Sequence, residues 1–209
     1  ELKNTHYFLI DKSKLSEKNK KELKMKGILL FDKTKTNKIP PSLILPRGIS
    51  RHYCSFNSIN AYSSSGVDIY INKKDESVNN ILAIRMWLFL NSSLLWLIRE
   101  ISGRKNLGGG MLKAEATDLK QFELYFEFEL SLCQKLFSKL RNKESLKTRE
   151  EIVTPLHLEL DAVVFEYLGL TNDQRDYILK KLDNLLLKRE EKSISRRVKI
   201  NKEIKYKEV

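Results

Sequence analysis

The chain has 209 residues, 41% of them hydrophobic, and a formal net charge of +12. That hydrophobic share is enough for a packed core and excludes a wholly disordered chain. The charge points to a polyanion, nucleic acid before an anionic membrane surface, against the plainer reading of lysine as the default surface residue.

The first third alternates short apolar runs with long polar loops. THYFLI (5–10), GILLF (27–31), SLILP (42–46), HYCSF (52–56) and VDIYI (67–71) have strand length. SEKNKKELKMK (16–26) reads as a short basic helix. Its lysines can meet phosphates but cannot specify a sequence. Between HYCSF and VDIYI lies NSINAYSSSG, suited to a turn.

Helical spacing begins at DESVNNILAIRMWLFL, and the polar triplet Asn91-Ser92-Ser93 interrupts it. Asn91 or Ser92 is a candidate cap for a second helix that stops at Gly103. The apolar stretch 81–98 has the length of a membrane span, but Arg85 and the triplet lie inside it. Two buried helices meeting at the triplet fit it better. Trp87 and Trp96 then belong to the core.

GRKNLGGG follows, then MLKAEA (111–116) with strand alternation, then QFELYFEFEL (121–130) running into the helix ELSLCQKLFSKL. Phe122, Tyr125, Phe126 and Phe128 are expected in the core rather than as a base-stacking platform. PLHLELDAVVFEYLGL starts at Pro155 and ends at Gly169. Thr171 and Gln174 have capping-box spacing. The next helix is expected to fold back as a hairpin on Tyr177, Ile178, Leu182, Leu185 and Leu186. A docked or frayed basic tail closes the chain. The expected class is α+β: a β-rich unit with central helices 78–102 inside 1–126, a helical region 127–192 and a tail 193–209.

Recognised chemistry is missing. There is no phosphate loop, dinucleotide fingerprint, HExxH or GxSxG, and Glu159 and Asp161 face different sides of one helix. Cys54 and Cys133 stand apart, as do His6, His52 and His157, so no metal framework forms and a reducing cytoplasm is expected.

Two blocks resemble one family. LFLNSSLLWLIREISGRKNLGGGMLKAEATDLKQFEL (88–124) is similar to the target-recognition region of adenine-specific DNA methyltransferases of restriction–modification systems. HLELDAVVFEYLGLTNDQRDYILKKLDNLLLKR (157–189) resembles the end of the same proteins. The resemblance implies a parent enzyme that uses S-adenosylmethionine, flips its target base and is in some members fused to an endonuclease. The catalytic tetrad and cofactor motif of that family are absent; Pro40-Pro41 is followed by Ser42 and lacks the amide donor. The implied role is therefore double-stranded DNA recognition beside an N-terminal catalytic domain of the parent, with no cofactor of its own and no membrane. The chain begins with Glu1 rather than Met, which fits a fragment.

Two stretches carry the candidate contacts. In LPRGISRHYCSFNSINAYSSSG, Arg47, Arg51 and His52 could enter a groove, Asn57 and Asn60 could read adenine, and Ser63, Ser64 and Ser65 could bond phosphates. In the second, Arg104, Lys105 and Lys113 supply charge and Asn106 an amide, while Gly108, Gly109 and Gly110 allow close backbone approach. The rival is a basic α+β module that docks a protein or RNA partner through its helical end.

Overall fold

The computed structural model describes residues 8–11, 16–19, 30–31, 39–63, 66–71, 75–104, 112–113, 116–119, 127–141 and 143–205. The chain is α+β: small sheets, largely antiparallel, precede a set of helices that ends in one long helix. Residues 20–26 of the basic helix and the run 121–126 lie outside the described residues.

Three sheets form. β1 (Phe8–Asp11) pairs in parallel with β2 (Leu30–Phe31) and antiparallel with β6 (Tyr62–Ser63). β3 (Leu43–Pro46) lies between β5 (Ser55–Phe56) and β7 (Gly66–Ile69), antiparallel to both. All four β3 residues are buried, the signature of a strand covered on both faces. β4 (Gly48–Ile49) pairs with β8 (Leu112–Lys113) in the third sheet. HYCSF is strand only at its last two residues, because His52 and Cys54 turn inward to other partners.

α1 (Glu76–Leu90) is capped by Asp75, which accepts from the Ser77 amide at 2.8 Å. Its last four residues, Trp87 to Leu90, are all buried, so the helix end is surrounded rather than amphipathic. α2 (Ser93–Ser102) leaves at 66° to it. No single described helix is long and apolar enough to cross a membrane; the bent pair is so only by length and composition. α3 (Ala116–Leu119) and α5 (Thr148–Glu151) are single turns. α4 (Leu130–Leu140) packs on α1, where Trp87 and Phe137 meet edge-on at 5.0 Å.

α6 (Pro155–Tyr167) starts with Thr154 accepting from the His157 amide. It ends in a Schellman turn: Leu170 N–H bonds Phe165 O and Gly169 N–H bonds Glu166 O, both at 2.9 Å. Gly169 takes a φ of +64°, which an L side chain resists. Thr171 and Gln174 then close the expected capping box at 2.8 and 3.3 Å.

α7 (Asn172–Lys205) departs from expectation in three ways. Its main partner is α2 rather than α6. Ile178, Leu182 and Leu186 are buried at the i, i+4, i+8 spacing, but Tyr177 falls off that stripe and is 64% exposed. The segment 193–205, expected as a docked or frayed tail, continues the helix, since it contains neither proline nor glycine to stop it. At 34 residues the helix is about 51 Å long. One apolar cluster joins β3, α1, α2, α4, α6 and α7, so strands and helices share a core.

Candidate nucleic-acid interface

Each member of the Asn91-Ser92-Ser93 triplet has a separate task. The Asn91 side chain ends α1 and grips the backbone of Cys54, accepting from its N–H at 2.9 Å and donating to its C=O at 3.2 Å. Ser92 caps α2 by accepting from the Leu95 amide. Ser93 crosses to α6: its N–H donates to Asp161 Oδ1 at 2.7 Å, and its hydroxyl lies 2.9 Å from His157 Nε2. Burial pushes the Asp161 carboxyl up and holds His157 down, so the imidazole of this seam is uncharged near neutrality. Seven residues on, Glu100 carries a second crossing, pairing with Arg189 of α7 at 2.9 Å and with His52 at 2.8 Å. Helix α2 is thus joined to α6 and to α7 through buried polar bonds.

This seam positions the first candidate stretch. After β3, Arg47, Gly48, Ser50 and Arg51 are exposed, whereas Ile49 and His52 turn inward. Arg99, fully buried in α2, donates to Pro46 O at 2.6 Å, and Arg189 donates to Ile49 O. Arg51 donates to Ser145 O at 2.9 Å, which holds its side chain across the 145 turn.

One expected contact is corrected here, and a second is found already engaged. His52 is 2% exposed, with its amide on Thr148 Oγ1 and its ring on Glu100, so it cannot reach a base. Burial lowers its pKa to about 4, against the raising effect of the Glu100 bond, and the ring is uncharged near neutrality. Asn57 spends its amide on the chain itself, accepting from Ala61 N–H at 2.8 Å and donating to Pro41 O and Ala61 O. It locks the turn that holds Asn60 at φ +53°, and both of its amide hydrogens are already given to the backbone. Ser63 ends β6; Ser64 and Ser65 lie outside the described residues.

The second stretch begins at Gly103. A Cβ there would meet Leu112 Cδ1 at 2.5 Å and Arg99 O at 2.7 Å. Its φ of −70° is ordinary, so glycine is required by the close approach of β8 to the end of α2 and not by a left-handed cap. Arg104 then bridges to Lys113 in both directions, N–H to O at 2.8 and 3.1 Å. The ends of the glycine stretch are stitched together, while Lys105, Asn106, Gly108, Gly109 and Gly110 lie outside the described residues. Arg104 is 63% exposed at its side chain and stands 3.8 Å from Asp118, a distance and exposure that leave it largely solvated.

The two stretches meet. Lys113 pairs with Gly48 on one side and with Arg104 on the other. Adjacent strands lie about 4.8 Å apart, so Lys113 and Arg104 are neighbours on one face, with the exposed Arg47 next in the chain to Gly48, the register partner of Lys113. Sequence reading named these cations separately and missed the residues that assemble them. Arg99, Glu100 and Arg189 were not singled out, although a charged pair at 99–100 inside an apolar helix was a usable signal of buried pairing. Among the described residues no group of three His, Cys, Asp or Glu side chains could hold a metal ion. Comparison with family models, with curated proteins and with solved structures finds no match for the chain.

Proposed function

We propose that the chain is a DNA target-recognition region, belonging to an adenine-specific methyltransferase of a restriction–modification system. The observation that carries the reading is the pairing of β4 with β8, which brings Lys113 beside Arg104 and beside Gly48, the residue after Arg47, so that two distant stretches meet. A net charge of +12 supports a polyanionic partner. In this reading Arg104, Lys105 and Lys113 neutralise phosphates, Arg51 leaves Ser145 to contact base edges, and a catalytic domain of the parent supplies S-adenosylmethionine chemistry. A second reading, a module that docks a protein or RNA partner, is favoured by Val153 and Tyr177, which are 69% and 64% exposed.

A band-shift titration over a salt series separates them. Duplex affinity should fall steeply with salt, and Arg104→Ala should lower the slope of log K against log salt by about 0.9 for every duplex tested. Arg51→Ala should narrow the gap between the preferred and other sequences. Binding that ignores salt, or that neither substitution changes, would sink the duplex reading.

A further inference from the structure

A cavity of about 540 Å³ opens beside the first stretch, within the range of roughly 300–1,000 Å³ usual for small-molecule sites. The segment His52–Phe56 forms one wall and α1 another, the end of α4 with its following turn closes the side, and Trp96, His157 and Leu160 lie at the base.

Seven of the described lining residues carry rings. Phe137 meets Phe56 edge-on at 4.8 Å and Trp87 at 5.0 Å. Deeper, Trp96 lies between two imidazoles, stacked on His52 at 5.7 Å and tilted against His157 at 4.6 Å. Both imidazoles are buried, and burial keeps them uncharged near neutrality. An aliphatic ligand would waste the polar groups of Asn80, Ser55 and Ser58, which also line the space.

The lining carries two cations, Arg141 and Lys143, and two carboxylates, Glu144 and Glu151. Lys143 is committed to Glu151 at 2.6 Å and to Thr154 at 3.3 Å. Arg141 is exposed and lies over the Phe137 ring at 5.9 Å, with no carboxylate at ion-pair distance among the described residues. A flat ring with polar edges and one anionic group answers this lining: stacking for the ring, a guanidinium for the anion.

We propose that the cavity binds a nucleotide, its base against the ring wall and its phosphate at Arg141. The nucleotide has two possible sources, free in solution or carried by a nucleic-acid strand. The second is open because Arg51, on the candidate contact stretch, bonds Ser145 at the edge of the same cavity. The free-nucleotide case does not depend on duplex binding.

The test titrates AMP into the intact chain, read by tryptophan fluorescence and calorimetry, with adenosine and inorganic phosphate in parallel. AMP should bind saturably and about tenfold tighter than adenosine, the worth of one charge-assisted contact. Arg141→Gln, a change at an exposed position, should bring AMP to the level of adenosine and leave adenosine unchanged. Asn80→Trp, at the exposed edge of α1, should plug the space and abolish both while the thermal midpoint holds. A duplex carrying 2-aminopurine identifies the source. A fluorescence rise with the unsubstituted chain that Asn80→Trp removes marks a strand-borne base; a flat signal beside AMP binding marks a free nucleotide. If neither AMP nor 2-aminopurine responds, or if the response survives both substitutions, the proposal is overturned. If band shifts show no duplex binding, the recognition reading falls and the AMP titration alone decides the cavity.

Discussion

The buried seam and the cationic patch hold similar side chains and use them in opposite ways. In the seam, Glu100 binds both His52 and Arg189, and Ser93 binds both His157 and Asp161, all of them under a tenth exposed except Arg189, which is 13% exposed at its side chain. On the patch, Arg104 is 63% exposed and its carboxylate is 3.8 Å away. Charges committed to each other in the interior hold the fold, and charges left in water remain available to a partner. The seam also presents the patch, because Arg99 and Arg189 grip the carbonyls of Pro46 and Ile49 on either side of Arg47 and Gly48.

That contrast can be broken at three points. The largest effect is expected from Arg189→Met, which deprives the buried Glu100 of its guanidinium partner, leaves the uncharged His52 beside it and should cost about 3–5 kcal/mol by urea denaturation. Arg104→Ala, in the same assay, should change stability by less than about 0.5 kcal/mol. Equal losses at the two arginines would erase the distinction between seam and patch.

His52 comes next. Its folded pKa of about 4 lies below the ordinary 6.5, so between these values the unfolded chain takes up a proton that the folded chain refuses. Its contribution is present above pH 6.5 and lost as pH falls to 4, a drop on the order of 3 kcal/mol for the lowering from 6.5 to about 4. His157 shifts in the same sense, and Asp161 opposes them. A pH series of denaturation midpoints should show the His52→Gln chain with a shallower acid limb than the unsubstituted one. Parallel limbs would mean that this imidazole is not held uncharged.

The smallest of the three is Gly103→Ala. The added methyl would sit within 2.7 Å of both Leu112 and a backbone carbonyl, and overpacking of this kind costs about 1–3 kcal/mol. Because β8 must shift to admit it, duplex affinity should weaken along with the thermal midpoint. A lowered midpoint with unchanged affinity would separate the patch from the packing beneath it.

Local chemistry made much of the fold legible. The capping box at Thr171, the Schellman glycine at 169, the cap at Ser92 and the break between α1 and α2 all rest on bonds that span a few residues. The strands of the first third were readable as apolar runs, and the burial of Trp87, Trp96 and Phe128 followed from their setting. The site was less legible. His52 and Asn57 have the right chemistry for reading bases, and nothing near them in sequence shows that Glu100 and the Pro41 carbonyl already hold them.

By itself, then, the sequence determined the α+β class, the helix ends and the excess of positive charge, because caps, periodicity and composition act within a turn or two of the chain. Only the tertiary structure decided which polar groups are spent. The pairings of Gly48 with Lys113, Ser93 with Asp161 and Glu100 with Arg189 join residues 65 to 89 positions apart. No local rule anticipates them; they exist because a shared core brings the carriers together and burial then favours pairing of the polar groups it encloses, although Arg99 Nε and Nη1 and Arg189 Nε are buried without a hydrogen-bond partner among the described residues.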